Sequence, residues 1–179
     1  MNETNLNPTS GTDSSEDVLR LADVDSASVS NLLSKYGLIL KIVEAGQEIP
    51  GSFWGDEEAG LIGNDLLVRA DTPLHSILHE SCHYVCLDET RRNGLHTDAG
   101  GDYDEENAVC YLQVILADHI EGFDQKRMFM DMDRWGYTFR LGSAQAWFEK
   151  DAADAMSWLL QRELITRGQR PCWTLRQWT

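Results

Sequence analysis

The segment Thr72-Pro-Leu-His75-Ser-Ile-Leu-His79-Glu80-Ser-Cys-His83-Tyr-Val-Cys86 carries the pattern H-E-x-x-H at His79, Glu80 and His83. Residues four apart on a helix share a face, so two imidazoles at this spacing can reach one ion. Glu80, rotated by about 100°, can then address a water in the coordination position left open. Metal-assisted hydrolysis needs this geometry: zinc lowers the pKa of a bound water to roughly 7, and the carboxylate takes its proton. The competing reading of the same residues is a helix with two partly buried, hydrogen-bonded histidines and a surface glutamate.

The flanks support a helix over about 73–92. Thr72 is a candidate cap, Pro73 suits the first turn, and Arg91-Arg92 before Asn93-Gly94 reads as a C-terminal stop. On this helix His75, His79, His83 and Cys86 fall within a face about 80° wide. His75 is expected beside the site rather than on the ion, and Cys86 as a buried thiol; a mixed His79, His83 and Cys86 site is the alternative.

A third protein ligand must come from elsewhere. A ligand six residues past the second histidine would be Glu89, but Cys86 stands where the metzincin form requires glycine, and no histidine follows at the required spacing. The segment from Asp102 to Leu116 offers Glu105 and Glu106 instead. On a helical wheel Glu105 falls in the stripe of Ala108, Leu112, Ile115 and Leu116, whereas Glu106 falls near Gln113 on the opposite side. A carboxylate aimed into an apolar face needs a partner, and a metal is one. Glu105 is therefore predicted as the third ligand, with simple helix capping after Asp102 as its other role.

His79-Glu80-x-x-His83 followed, after a gap of twenty-one residues, by Glu105-x-x-Ala108-x-x-Tyr111-Leu112 resembles the gluzincin arrangement, most of all the minimal gluzincins of the ImmA/IrrE type. The resemblance covers roughly residues 30–120. It implies an α+β, zincin-like fold in which a small antiparallel or mixed sheet packs on an active-site helix and a second ligand-bearing helix, with further C-terminal helices. It also implies one zinc held by His79, His83 and Glu105, with Glu80 as general base. The chain departs from that family at Tyr111-Leu112, where Phe-Ala is usual, and at Cys82, where glycine often stands.

Composition narrows the partners. The chain has 179 residues, 42% of them hydrophobic, and a net charge of −15. That length suits one domain, and that charge repels nucleic acid and anionic membranes, so the expected partner is a peptide or protein substrate. No apolar run is long enough to span a bilayer, and the amino terminus lacks the basic and apolar regions of a signal peptide. With no Cys-x-x-Cys pair and three of four cysteines on the two proposed metal helices, free thiols and a cytoplasmic location are expected.

Along the chain, residues 1–17 read as a disordered acidic leader, 18–168 as a single zincin-like metallopeptidase domain and 169–179 as a C-terminal arm, either docked or an interaction peptide. Ser26 to Tyr36 reads as a helix stopped at Gly37. Leu38 to Ala45, Ser52 to Trp54 and Leu61 to Arg69 read as strands, the last broken at Gly63-Asn64 and expected to offer an edge to an extended substrate. Asp124 to Trp135 and a long stretch from Ser143 to near Gly168 read as helices, the latter with an aromatic stripe read mainly as core. His96, Tyr103 and Tyr137 are equal candidates for stabilising an oxyanion. The function expected is zinc-dependent peptide hydrolysis; the alternative is a zinc-binding regulatory or interaction module whose activity is restrained.

Overall fold

The computed structural model describes residues 17–177; most of the predicted leader lies outside them. The chain enters through a short 3-10 turn and then forms α1 (Ser26–Ser34), β1 (Ile39–Ile42), β2 (Gly60–Ile62), β3 (Asp65–Val68), α2 (Leu74–Cys86), α3 (Glu89–Asn93), α4 (Tyr103–Ala117), α5 (Gln125–Trp135), α6 (Ala144–Lys150) and α7 (Ala153–Gln161). This is a mixed α/β architecture with a small open sheet, as the sequence predicts.

The three strands lie in the order β1-β3-β2. β1 runs parallel to β3, pairing Leu40 with Leu66, and β2 runs antiparallel to β3, pairing Leu61 with Leu66. The outer edge of β2 is also paired: Leu61 N–H donates to Gly51 O at 3.1 Å, and Thr97 N–H donates to Leu61 O at 2.9 Å. Chain and strand approach so closely that a Cβ on Gly60 would lie 2.0 Å from Pro50 O, which excludes any other residue there. The substrate edge expected within Leu61 to Arg69 is therefore already paired over both strands. The strand expected at Ser52 to Trp54 reduces to a single bridge at Ser52, with Phe53 and Trp54 exposed.

α2 is the centre of the molecule. Every residue of it except His79 is buried, because it lies between the sheet and α4. It starts after Pro73 rather than from a Thr72 cap; Thr72 Oγ1 instead accepts from Arg69 N–H at 2.8 Å. The helix predicted over 73–92 is two helices. Leu87 adopts an extended conformation, and the Asp88 carboxylate caps a new helix by accepting from Arg91 N–H. The long helix expected from Ser143 likewise breaks at Asp151-Ala152 into α6 and α7.

The break after α2 leaves its last carbonyls to be satisfied from elsewhere. Arg92 Nε donates to Tyr84 O at 3.1 Å. Arg176, in the C-terminal arm, donates from its backbone N–H to Val85 O at 3.0 Å and from Nη1 to Cys86 O at 3.1 Å. The arm through residue 177 is thus docked against α2. Aromatic rings seal the far side of α4, where Tyr111 stacks on Phe148 at 4.3 Å and Phe139 on Trp147 at 4.8 Å. All four cysteines are free thiols. Among the described residues no helix is long and apolar enough to cross a membrane.

Candidate metal centre

The helical spacing of His79 and His83 brings their Nε2 atoms to 3.1 Å of one another, facing the first turn of α4. The residue that meets them is Glu106. Its Oε1 lies 3.3 Å from His79 Nε2 and its Oε2 3.4 Å from His83 Nε2. One ligand atom from each of the three residues lies within 4.8 Å of the others.

Glu105, the ligand expected from the helical wheel, points the other way. Both its carboxylate oxygens accept from Arg91 at 2.8 Å, and Oε2 also accepts from Arg176 Nη1 at 3.0 Å. It is a buried carboxylate with a partner, as the apolar stripe requires, but the partner is a pair of guanidinium groups rather than an ion. Its backbone N–H is capped by Asp102, as expected. The third member of the cluster is therefore Glu106, and the prediction of Glu105 is corrected.

Gln113 was missed as a site residue although it shares a face with Glu106, two turns along α4. Buried completely, its Oε1 accepts from His79 Nδ1–H at 2.7 Å, while its amide donates to Met128 Sδ at 3.6 Å. With Nδ1 carrying the proton, His79 turns the lone pair of Nε2 toward His83 and Glu106, the tautomer that a metal ligand needs. His83 Nδ1 is buried without a partner.

Charge in the pair is limited to one proton. Burial disfavours a charged ring at His79, but the Tyr137 hydroxyl, the Cys110 thiol and the Glu106 carboxylate around it hold its proton affinity well above the ordinary imidazole range. Burial, and then the charge on His79, pushes His83 down to about 3. The two nitrogens lie 3.1 Å apart, so a proton held by His79 disfavours a second one on His83. A cation can take the place of that proton, accepting both lone pairs and the carboxylate. Two imidazoles and one carboxylate are a donor set that divalent metals accept, so the residues fit a metal ion.

Glu80 lines the same cleft and is buried; burial, then the carboxylates of Glu58 and Glu106, outweigh the pull of His79 and push it up to about 7. Glu58 is anchored by Trp135 Nε1, which donates to it at 2.9 Å. His75 is also buried, pushed down to about 3 by burial and by His79, with its ring against Trp135 and Tyr137 rather than in the cluster. Cys86 lies outside the cluster too, and burial pushes its thiol up.

The cleft above the cluster encloses about 410 Å³ and is roofed by residues 97–103 and by Phe53 and Trp54. Of the three oxyanion candidates, Tyr103 lines it. Tyr137 lies behind His79, ring centroids 5.9 Å apart, with its hydroxyl toward His75 Nδ1 at 3.5 Å. His96 is exposed and paired to Ile62 in the sheet. In the roof, Gly101 adopts φ +125°, and a Cβ there would meet Glu105 Oε1 at 2.9 Å, so this glycine lets the loop close over the Arg91–Glu105 pair.

Comparison with family models, with curated proteins and with solved structures finds no match to this chain.

Proposed function

We propose that the protein is a zinc-dependent metallopeptidase of gluzincin-like design, with His79, His83 and Glu106 as zinc ligands and Glu80 as general base. The observation that carries the reading is the meeting of two facing imidazole nitrogens with the Glu106 carboxylate at the floor of a cleft that Glu80 also lines. Zinc supplies Lewis acidity, lowering the pKa of a coordinated water to roughly 7 and polarising a carbonyl. Glu80, one residue from His79, takes a proton from the attacking water and passes it to the leaving amine as the peptide bond breaks. Gln113 keeps the His79 ring turned to the ion, and Tyr103 is the candidate donor to the developing oxyanion.

The test is zinc content and peptide hydrolysis in wild type and Glu80→Gln. One zinc per chain in both proteins, with hydrolysis by wild type alone, is the expected result. Zinc held by a wild type that cleaves no member of a peptide library would leave a metal-binding interaction module. Equal cleavage by the two proteins would remove Glu80 from the mechanism.

A further inference from the structure

We infer that the site takes polypeptide segments bearing Lys or Arg side chains, an inference that rests on the peptidase reading and gives it a substrate class. Three observations meet at Tyr103. First, Phe53 and Trp54, 53% and 70% exposed, pack edge to face at 5.2 Å where they line the metal cleft, and Tyr103, 79% exposed, lines it too. Large rings left in water beside a cleft form a surface for a ligand side chain to cover.

Second, besides Glu80 and Glu106 the charged groups lining that cleft are Asp98 and Asp102, and among the described residues no Lys or Arg lines it. Arg91 lies behind the glycine loop, donating to Glu105 and to Ala99 O. Third, Tyr103 also borders a second depression, of about 210 Å³, which continues past the first turn of α4 to the start of α7. Its charged lining is Asp104, Asp154 and an Arg140–Asp151 ion pair that leaves the other two carboxylates unbalanced.

Flat rings beside Asp98, Asp104 and Asp154, which form no ion pair among the described residues, fit a side chain with an apolar stem and a cationic head. The stem lies along Trp54 or Tyr103, the cation faces the ring and the neighbouring aspartate, and the net charge of −15 steers such a ligand in. A neutral or acidic segment gains the stacking without the charge, or meets repulsion. The second depression makes the recognised stretch several residues long, so charge is read at more than one position.

The test uses full-length zinc-loaded Glu80→Gln protein and two fluorescein-labelled dodecapeptides, one with lysine at every third position and one with glutamine there. Fluorescence anisotropy is expected to show the lysine peptide binding at least about tenfold more tightly, with the difference shrinking as salt is raised. In an Asp104→Asn, Asp154→Asn double variant the ratio is expected to fall to about threefold, and in Trp54→Ala both peptides are expected to bind more weakly. Melting temperatures check that these exposed substitutions leave the fold intact. Equal affinities for the two peptides overturn the inference, whether or not either is cleaved. Selective binding of the lysine peptide together with no cleavage of any member of a peptide library by the wild-type zinc protein overturns the peptidase reading and leaves the charge preference standing.

Discussion

Arg91 and Glu105 face each other through two parallel hydrogen bonds of 2.8 Å, and this pair turns the next residue of α4, Glu106, toward the histidines of α2. Adjacent glutamates thus have separate tasks. Glu106→Ala is expected to lose zinc on dialysis against a chelator concentration that leaves wild type loaded, with a smaller loss of metal-free stability than Glu105→Ala, because its half-exposed carboxylate gives up only its pairing with His79 and His83. Glu105→Ala is expected to keep zinc and to lose about 3 kcal/mol of stability, because Arg91 and the buried Arg176 are left without their carboxylate. Metal analysis beside urea unfolding separates the two, and zinc loss in Glu105→Ala alone would reverse the assignment.

Gln113 fixes the tautomer and the angle of the His79 ring. Gln113→Met keeps the volume of the side chain and removes the acceptor, so zinc affinity is expected to fall by about 10-fold to 100-fold. Competition with a chromogenic zinc chelator measures it; an unchanged affinity would mean that packing alone sets the ring.

Neither role could be read from the wheel of α4, and the reason is physical. Assigning a face by its apolar stripe assumes that the opposite face meets water. From Ala108 to Ala117 every side chain of α4 is buried, Gln113 included, so the polar side is buried as well and lies against α2. Glu106 and Gln113 share that side, and two polar residues seven apart facing an H-E-x-x-H helix were the available signal. The histidine pair, the place of Glu80 beside it and the Asp102 cap were legible because they depend on spacing and local capping alone, and the mixed α/β class followed from the resemblance those motifs carry. The partners of Glu105 were not, because Arg176 reaches it across 71 residues of sequence. The split of the predicted 73–92 helix was hidden for a related reason: Asp88 caps α3, while of the freed carbonyls of α2 only that of Tyr84 is met nearby, by Arg92, and those of Val85 and Cys86 are met by the backbone and side chain of the distant Arg176.

Burial gives Glu80 a pH signature in the metal-free protein. A carboxyl titrating near 7 when folded and near its ordinary 4.5 when unfolded holds its proton more tightly in the folded state. Its neutral form therefore contributes stability that is full below about pH 4.5 and is lost as pH rises through about 7. Glu80→Gln is uncharged throughout. Urea unfolding of the metal-free proteins is expected to give equal stabilities near pH 4 and an advantage of about 3 kcal/mol for the variant near pH 8. Parallel curves at all pH values would mean that water reaches the carboxylate.

Gly101 offers a test of the loop that roofs the cleft. Gly101→Ala puts a Cβ 2.9 Å from Glu105 Oε1 on a backbone at φ +125°, and is expected to cost on the order of 2 kcal/mol. Thermal unfolding measures the loss, and a melting temperature equal to that of wild type would show that the loop is free to move away from the Arg91–Glu105 pair.

The most direct measurement is anomalous diffraction at the zinc edge from crystals of the zinc-loaded protein. A single peak is expected within about 2.0–2.2 Å of His79 Nε2, His83 Nε2 and a Glu106 carboxylate oxygen. No peak between those three atoms, or one bound instead by Cys86 or Glu105, would contradict the account.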